Sequence, residues 1–259
     1  MNQSEKRLFL IQSLLKERPE YRDLSIPSES DSQRQLLRGL MNIRAPQRTD
    51  AEFLKTQDAY LQGETAAKGI TDIAGLTPIQ PGLYLWQGDI TTLKCDAIVN
   101  AANSGMTGCY IPNHRCIDNA IHTYAGVELR LACAELMEQQ GHPEPTGQAK
   151  ITPAFNLPCR YVLHTVGPII DGRVTKEDKE LLASCYRSCL ELAAENGLES
   201  VAFCCISTGE FHFPNQLAAE IAVQTVKEFL QTPTSIKKVI FNVFKDMDKK
   251  IYERLLRTA

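Results

Sequence analysis

Three residues of types that bind soft divalent metals, Cys109, His114 and Cys116, fall inside the stretch "GCYIPNHRC", shortly after the strand-like run "AIVNAAN". Zinc takes thiolate and imidazole ligands, and a catalytic zinc has three protein ligands with a fourth position open. The spacing C-x4-H-x-C is not that of a common structural finger, and no C-x2-C pair follows it. On residue types alone three readings stand. The stretch is an open metal site, a structural site closed by His122 as fourth ligand, or a loop that carries two free thiols.

The composition narrows what such a site serves. The chain has 259 residues, 43% of them apolar and 23% charged, and a formal net charge of −3. That charge argues against a nucleic-acid binder relying on bulk positive potential, though backbone amides can still hold a small anion. No apolar run approaches the ~20 residues needed to cross a bilayer, so no membrane role is expected. The opening "MNQSEKRLFLIQSLLKERPE" is polar and helically spaced, without a secretory h-region. The expected compartment is the cytoplasm. Nine cysteines are scattered through mostly apolar segments. Cys185 and Cys189 on a helix face, and Cys204 and Cys205 inside the strand-like "SVAFCCIS", read as buried free thiols rather than a disulfide framework.

The elements that must position the site fall into two blocks. Residues 1–75 read as helices over about 4–18, 30–44 and 50–67, with Ser28 and Asp31 as a capping box for the second and Asp50 capping the third. This extension is expected to cover one edge of a sheet; selecting a protein substrate is the alternative role. From about residue 82, short apolar runs alternate with helical stretches near 117–140, 176–196, 215–231 and 246–257. The runs are "LYLWQGD", "DAIVNAA", "AKITPAF", "YVLHTVGP", "SVAFCCIS" and "KVIFNVF". This alternation implies an α/β sheet with helices on both faces and ligands beyond the carboxyl ends of the strands. No G-x-G-x-x-G follows the first strand and no P-loop is present, which disfavours a dinucleotide dehydrogenase or P-loop NTPase.

Five segments in order, "GDIT", "DAIVNAAN", "TGQAKIT", "YVLHTVGP" and "ISTGEFHFP", resemble the macrodomain family of ADP-ribose-binding proteins. Where macrodomain hydrolases usually carry a glycine run, this chain has "GMTGCYIPNHRC". That departure resembles the zinc-dependent bacterial and fungal branch, in which a Cys-His-Cys loop holds a catalytic metal. The resemblance implies a three-layer α/β/α fold with a mixed sheet over residues 76–259, preceded by the helical extension. It also implies one Zn2+ per chain on Cys109, His114 and Cys116.

It further implies the ligand contacts. Asp89, with Ile90 beside it, would receive the adenine amine, an Asx cap of the next turn being its plain alternative, and Phe244 would stack on the ring, Phe241 being the core residue of that strand. Ser207, Thr208, Gly209 and Glu210 would form the diphosphate loop, with Phe211 beside the distal ribose. Asn103 would orient that ribose, and Asp118 would contact the sugar or a pyrophosphate-bound water; as residue types, both also fit plain turn and helix-cap roles. His212 is a weaker candidate for a general base, and His164 reads as structural. The implied activity is removal of mono-ADP-ribose from a protein side chain, most naturally an Asp or Glu ester. The metal would act as a Lewis acid or lower the pKa of a bound water. A non-catalytic ADP-ribose reader and an O-acetyl-ADP-ribose deacetylase are the competing readings. ADP-ribose and an ADP-ribosylated protein are the expected partners. A lipoyl-carrier protein modified by a sirtuin-like transferase is the candidate the resemblance supplies.

Overall fold

The computed structural model describes residues 1–21 and 23–257. The elements run α1 (Gln3–Lys16), α2 (Ser30–Ile43), α3 (Ala51–Lys68), β1 (Thr71–Asp72), β2 (Leu83–Gln87), β3 (Leu93–Lys94) and β4 (Ala97–Ala102). They continue with α4 (Ile117–Ala125), α5 (Val127–Gln140), β5 (Ala149–Pro153), β6 (Tyr161–Val166), α6 (Lys176–Glu195), β7 (Ser200–Phe203), α7 (Asn215–Leu230), β8 (Lys238–Val243) and α8 (Asp246–Arg257). The main sheet has six strands in the order β2-β8-β7-β4-β6-β5. All neighbours pair in parallel except β5, which runs antiparallel to β6.

A parallel strand between helix layers is buried on both faces, so it is written in nearly continuous apolar residues. β4 and β6 obey this: Ala97, Ile98, Val99, Val162 and Leu163 are all fully buried. Helices α6, α7 and α8 pack side by side, while α4 and α5 pack on each other and against β4 and β5. The sheet is thus flanked by helices, as the alternating pattern requires. Because β2, β8, β7, β4 and β6 point the same way, the residues following each strand gather at one edge. That edge carries Asp89, Phe244, the loop from Cys204, Asn103 and Gly167.

Three local expectations differ from what is observed. The helical stretch 117–140 is two helices, broken at Gly126, whose φ of +101° is open to glycine and strained for other residues. The cap of α2 is not Ser28: Glu29 occupies the N-cap without a side-chain bond, and Asp31 pairs with Arg34 instead. Cys204 and Cys205 lie just past β7 rather than within it. The extension, expected at one edge of the sheet, meets that expectation in part. Its helices α2 and α3 pack on α4, and Leu10, Leu37, Phe53 and Tyr60 form a second apolar core that reaches Val127 at the start of α5. It backs the loop before α4, and its α3 also reaches the carboxyl edge of the sheet, contacting residues 90–92. Asp50 does cap α3, accepting from the Phe53 amide at 2.8 Å. Among the described residues, no helix is long and apolar enough to cross a membrane.

Candidate functional site

The three donors of "GCYIPNHRC" converge. Cys109, His114 and Cys116 place their ligand atoms within 4.8 Å of one another, with Cys109 Sγ 3.6 Å from His114 Nδ1. A tetrahedral zinc with Zn–S of ~2.3 Å and Zn–N of ~2.05 Å holds sulfur and nitrogen about 3.6 Å apart, so the spacing fits that ion. Cys116 sits at the N-cap of α4, where its Sγ accepts from the Asn119 amide at 3.4 Å. Burial pushes the Cys116 thiol up to about 12, and the neighbouring Cys109 adds to this. A dication would reverse that preference by binding the thiolates. Nδ1 of His114 faces Cys109, which leaves Nε2 turned to Glu210 Oε1 at 3.7 Å. A carboxylate behind a ligating imidazole is the usual device for fixing its orientation.

His122 is not a fourth member. It lies one turn into α4, buried against Gly108, and groups with Cys133 and His164 inside the core. Neither ring nitrogen makes a hydrogen bond, although Nε2 lies 3.5 Å from Asp118 Oδ1, and burial with the nearby His164 holds its pKa well below the ordinary value. His164 is structural, as its position in β6 suggests. Asn100 donates to its Nδ1 at 3.1 Å, and Thr152 lies 2.9 Å from Nε2.

Asn103 is exposed at the end of β4, and its amide donates to the Gly108 carbonyl at 3.2 Å and towards Asp118 Oδ2 at 3.4 Å. The loop carrying the three donors and the residue expected to orient the ribose are therefore tied directly together. Asp118 itself is only 5% exposed. Its other oxygen accepts from Asn100 at 2.9 Å, and burial raises its pKa to about 6. It can hold Asn103 in place from behind.

At the far end of the edge, Asp89 accepts from the Thr91 amide at 3.0 Å, the Thr91 hydroxyl at 2.6 Å and Lys68 Nζ at 2.9 Å. Burial alone would raise this carboxyl, but those donors outweigh it and lower the pKa. Lys68 comes from α3 and stands 3.2 Å above the Tyr124 ring centroid. No motif points to Lys68. The Ile90 side chain is buried in the core, so only its backbone can meet a ligand. Phe244 is 76% exposed where β8 ends, beside Gly88, whose amide donates to Val243 O. Phe241 is fully buried within β8, as expected of its core residue.

Between these ends the loop after β7 turns back on itself: Phe213 N–H donates to Ser207 O and His212 N–H to Gly209 O. Among the described residues, the amides of Gly209, Glu210 and Phe211 are outside those internal bonds. The Thr208 hydroxyl is used within the turn, donating to Cys205 O at 3.0 Å. Ser207 adopts φ +63°, and its hydroxyl is buried without a partner against Gly167, where a Cβ would overlap it. An unpartnered hydroxyl beside free amides suits an anion. Phe211 is half-buried and its carbonyl accepts from Ile170 N–H at 2.9 Å; His212 is exposed at φ +58°.

Comparison with known proteins agrees with this layout. The Macro domain family model matches residues 99–222. A Treponema medium protein named protein-ADP-ribose hydrolase is 59% identical over 99% of this chain and 100% of its own length. A Staphylococcus aureus protein of the same name is 50% identical over 95% of this chain and 92% of its own. The Trypanosoma brucei macrodomain in complex with ADP-ribose superposes with a TM-score of 0.66 at 31% identity, covering 84% of this chain and 94% of that one. With strands, site edge and full-length relatives all in agreement, the chain belongs to the macrodomain family.

Proposed function

We propose that this protein hydrolyses the bond between mono-ADP-ribose and a protein side chain, with zinc held by Cys109, His114 and Cys116. The observation behind this reading is the convergence of three donors on a loop that Asn103 ties down, donating to the Gly108 carbonyl next to Cys109. Simple ADP-ribose binding gives no reason for a metal position without a fourth protein ligand. The names of the Treponema and Staphylococcus relatives, which match over nearly their full lengths, support hydrolysis.

The residues divide the work along the edge. Asp89 accepts a hydrogen bond from the adenine amine, and the exposed face of Phe244 offers a stacking surface worth about 1–3 kcal/mol. The amides of residues 209–211 and the Ser207 hydroxyl receive the diphosphate. Asn103 orients the distal ribose, and Asp118 fixes the Asn103 amide. Zinc held by Cys109, His114 and Cys116 would supply Lewis acidity or a bound water of lowered pKa. An acyl ester leaves as a carboxylate and demands no general acid, which favours an Asp or Glu linkage as substrate. A lipoyl-carrier protein as the modified partner rests on the family resemblance.

The test replaces one donor. Cys116→Ser should abolish ADP-ribose release from an aspartate- or glutamate-modified protein while ADP-ribose still binds. Full-rate release by that variant would remove the metal from the reaction. Binding without release by the wild type would make the protein a reader.

A further inference from the structure

The metal loop makes no helix or strand, yet its donors converge, so something outside it fixes their geometry. We propose that α2 of the N-terminal extension is the outer shell of the metal site, with Arg38 and Asn42 as positioning residues for Cys109, His114 and Cys116. This rests on the metal reading above.

The contacts form one network centred on Asn119, which is fully buried in the first turn of α4. Arg38 donates twice to Asn119 Oδ1, from Nη2 at 2.8 Å and Nε at 3.2 Å, and Nη2 also donates to the His114 carbonyl at 3.1 Å. Asn119 passes this on: its amide nitrogen Nδ2 donates to Ile111 O at 3.1 Å and its backbone N–H to Cys116 Sγ. Asn42 accepts from the Asn113 amide at 2.9 Å and donates to Thr123 Oγ1 at 3.0 Å. Asn113 is itself at φ +56°, in the left-handed region that asparagine tolerates. Gly39 permits the close approach, since a Cβ there would lie 3.3 Å from Asn113 Nδ2 and 3.7 Å from Pro112.

The front of the loop is held from the same helix. Arg130 donates to the carbonyls of Met41, Asn42 and Arg44 at the C-terminal end of α2, where a cation is favoured by the dipole. It also donates to Thr107 O at 2.8 Å and lies 4.2 Å from the Tyr110 ring centroid. Thr107, Tyr110, Ile111, Asn113, His114 and Cys116 are thus referred to one 14-residue helix, and that helix is anchored in the extension's own apolar core. Outer partners of metal ligands typically change metal affinity by about 10–100-fold when lost.

The experiment measures Zn2+ affinity of the full chain by competition with a chromophoric chelator, alongside ADP binding and thermal melting. Arg38→Ala should bind Zn2+ about 10–100-fold more weakly. ADP affinity, which draws on Asp89 and the 207–211 loop, should stay within about twofold. Gly39→Val supplies a second variant that keeps Arg38 and pushes Pro112 and Asn113 outwards. It should weaken Zn2+ binding in the same way. Zn2+ bound by the wild type and equally tightly by both variants would overturn this inference and leave the metal reading intact. Failure of the wild type to bind Zn2+ would overturn both.

Discussion

Two fully buried histidines make the fold sensitive to acid, and His164 shows by how much. Its ring is held neutral by burial, which lowers its pKa to about 3 from an ordinary 6.5. Between those values the unfolded chain takes up a proton that the folded chain refuses. Stability is therefore full above about pH 6.5 and is lost as pH falls towards 3. At pH 5, 1.5 units below the unfolded pKa, the loss is RT ln(1 + 10^1.5), about 2 kcal/mol, against less than about 0.1 kcal/mol at pH 7.5. His122, lowered well below its ordinary value, acts with the same sign. The assay is urea unfolding at pH 7.5 and pH 5 in chelator, which removes any metal contribution, for the wild type and His164→Gln. The variant is less stable at pH 7.5 because it disturbs the partners of Asn100 and Thr152. Its loss on acidification should nevertheless be smaller than the wild type's by about 2 kcal/mol. Equal losses would show that His164 titrates normally and that the packing account of this core is wrong.

Other consequences follow from single contacts. Lys68→Ala removes the cation that holds Asp89 and should weaken ADP-ribose binding by about 5–30-fold, or 1–2 kcal/mol, by calorimetry; unchanged affinity would separate α3 from the proposed adenine site. Gly167→Ala drives a methyl into the buried Ser207 hydroxyl, so the 207–211 loop must move. It should lower stability by about 1–3 kcal/mol and weaken ADP binding, read by melting and titration. Phe244→Ala leaves the fold unchanged, because the ring is solvent-exposed, and should cost about 1–3 kcal/mol of nucleotide affinity.

What the sequence made legible was what local pattern can carry. Six strand-like runs and the turn residues after them placed Asp89, Asn103, Ser207 and Phe244 at one edge, and the donors Cys109, His114 and Cys116 do converge there. The misreadings have physical causes. Helical periodicity continues across Gly126, so only its positive φ separates α4 from α5. Ser28 has a capping side chain, but the helix starts one residue further along. The contacts that were invisible join distant segments: Lys68 to Asp89, Arg38 to Asn119 and Asn42 to Asn113. No spacing rule connects α2 to a loop some seventy residues later, because that meeting is set by how the second core packs. Asp118 carried a similar ambiguity, since only the fold turns its carboxylate inward to Asn100 and Asn103.

The most direct test of the central claim is release of free ADP-ribose from an aspartate- or glutamate-modified protein by three samples: untreated enzyme, chelator-stripped enzyme, and stripped enzyme given zinc back. The account predicts release that disappears with the metal and returns with zinc. Equal release from all three samples would contradict it.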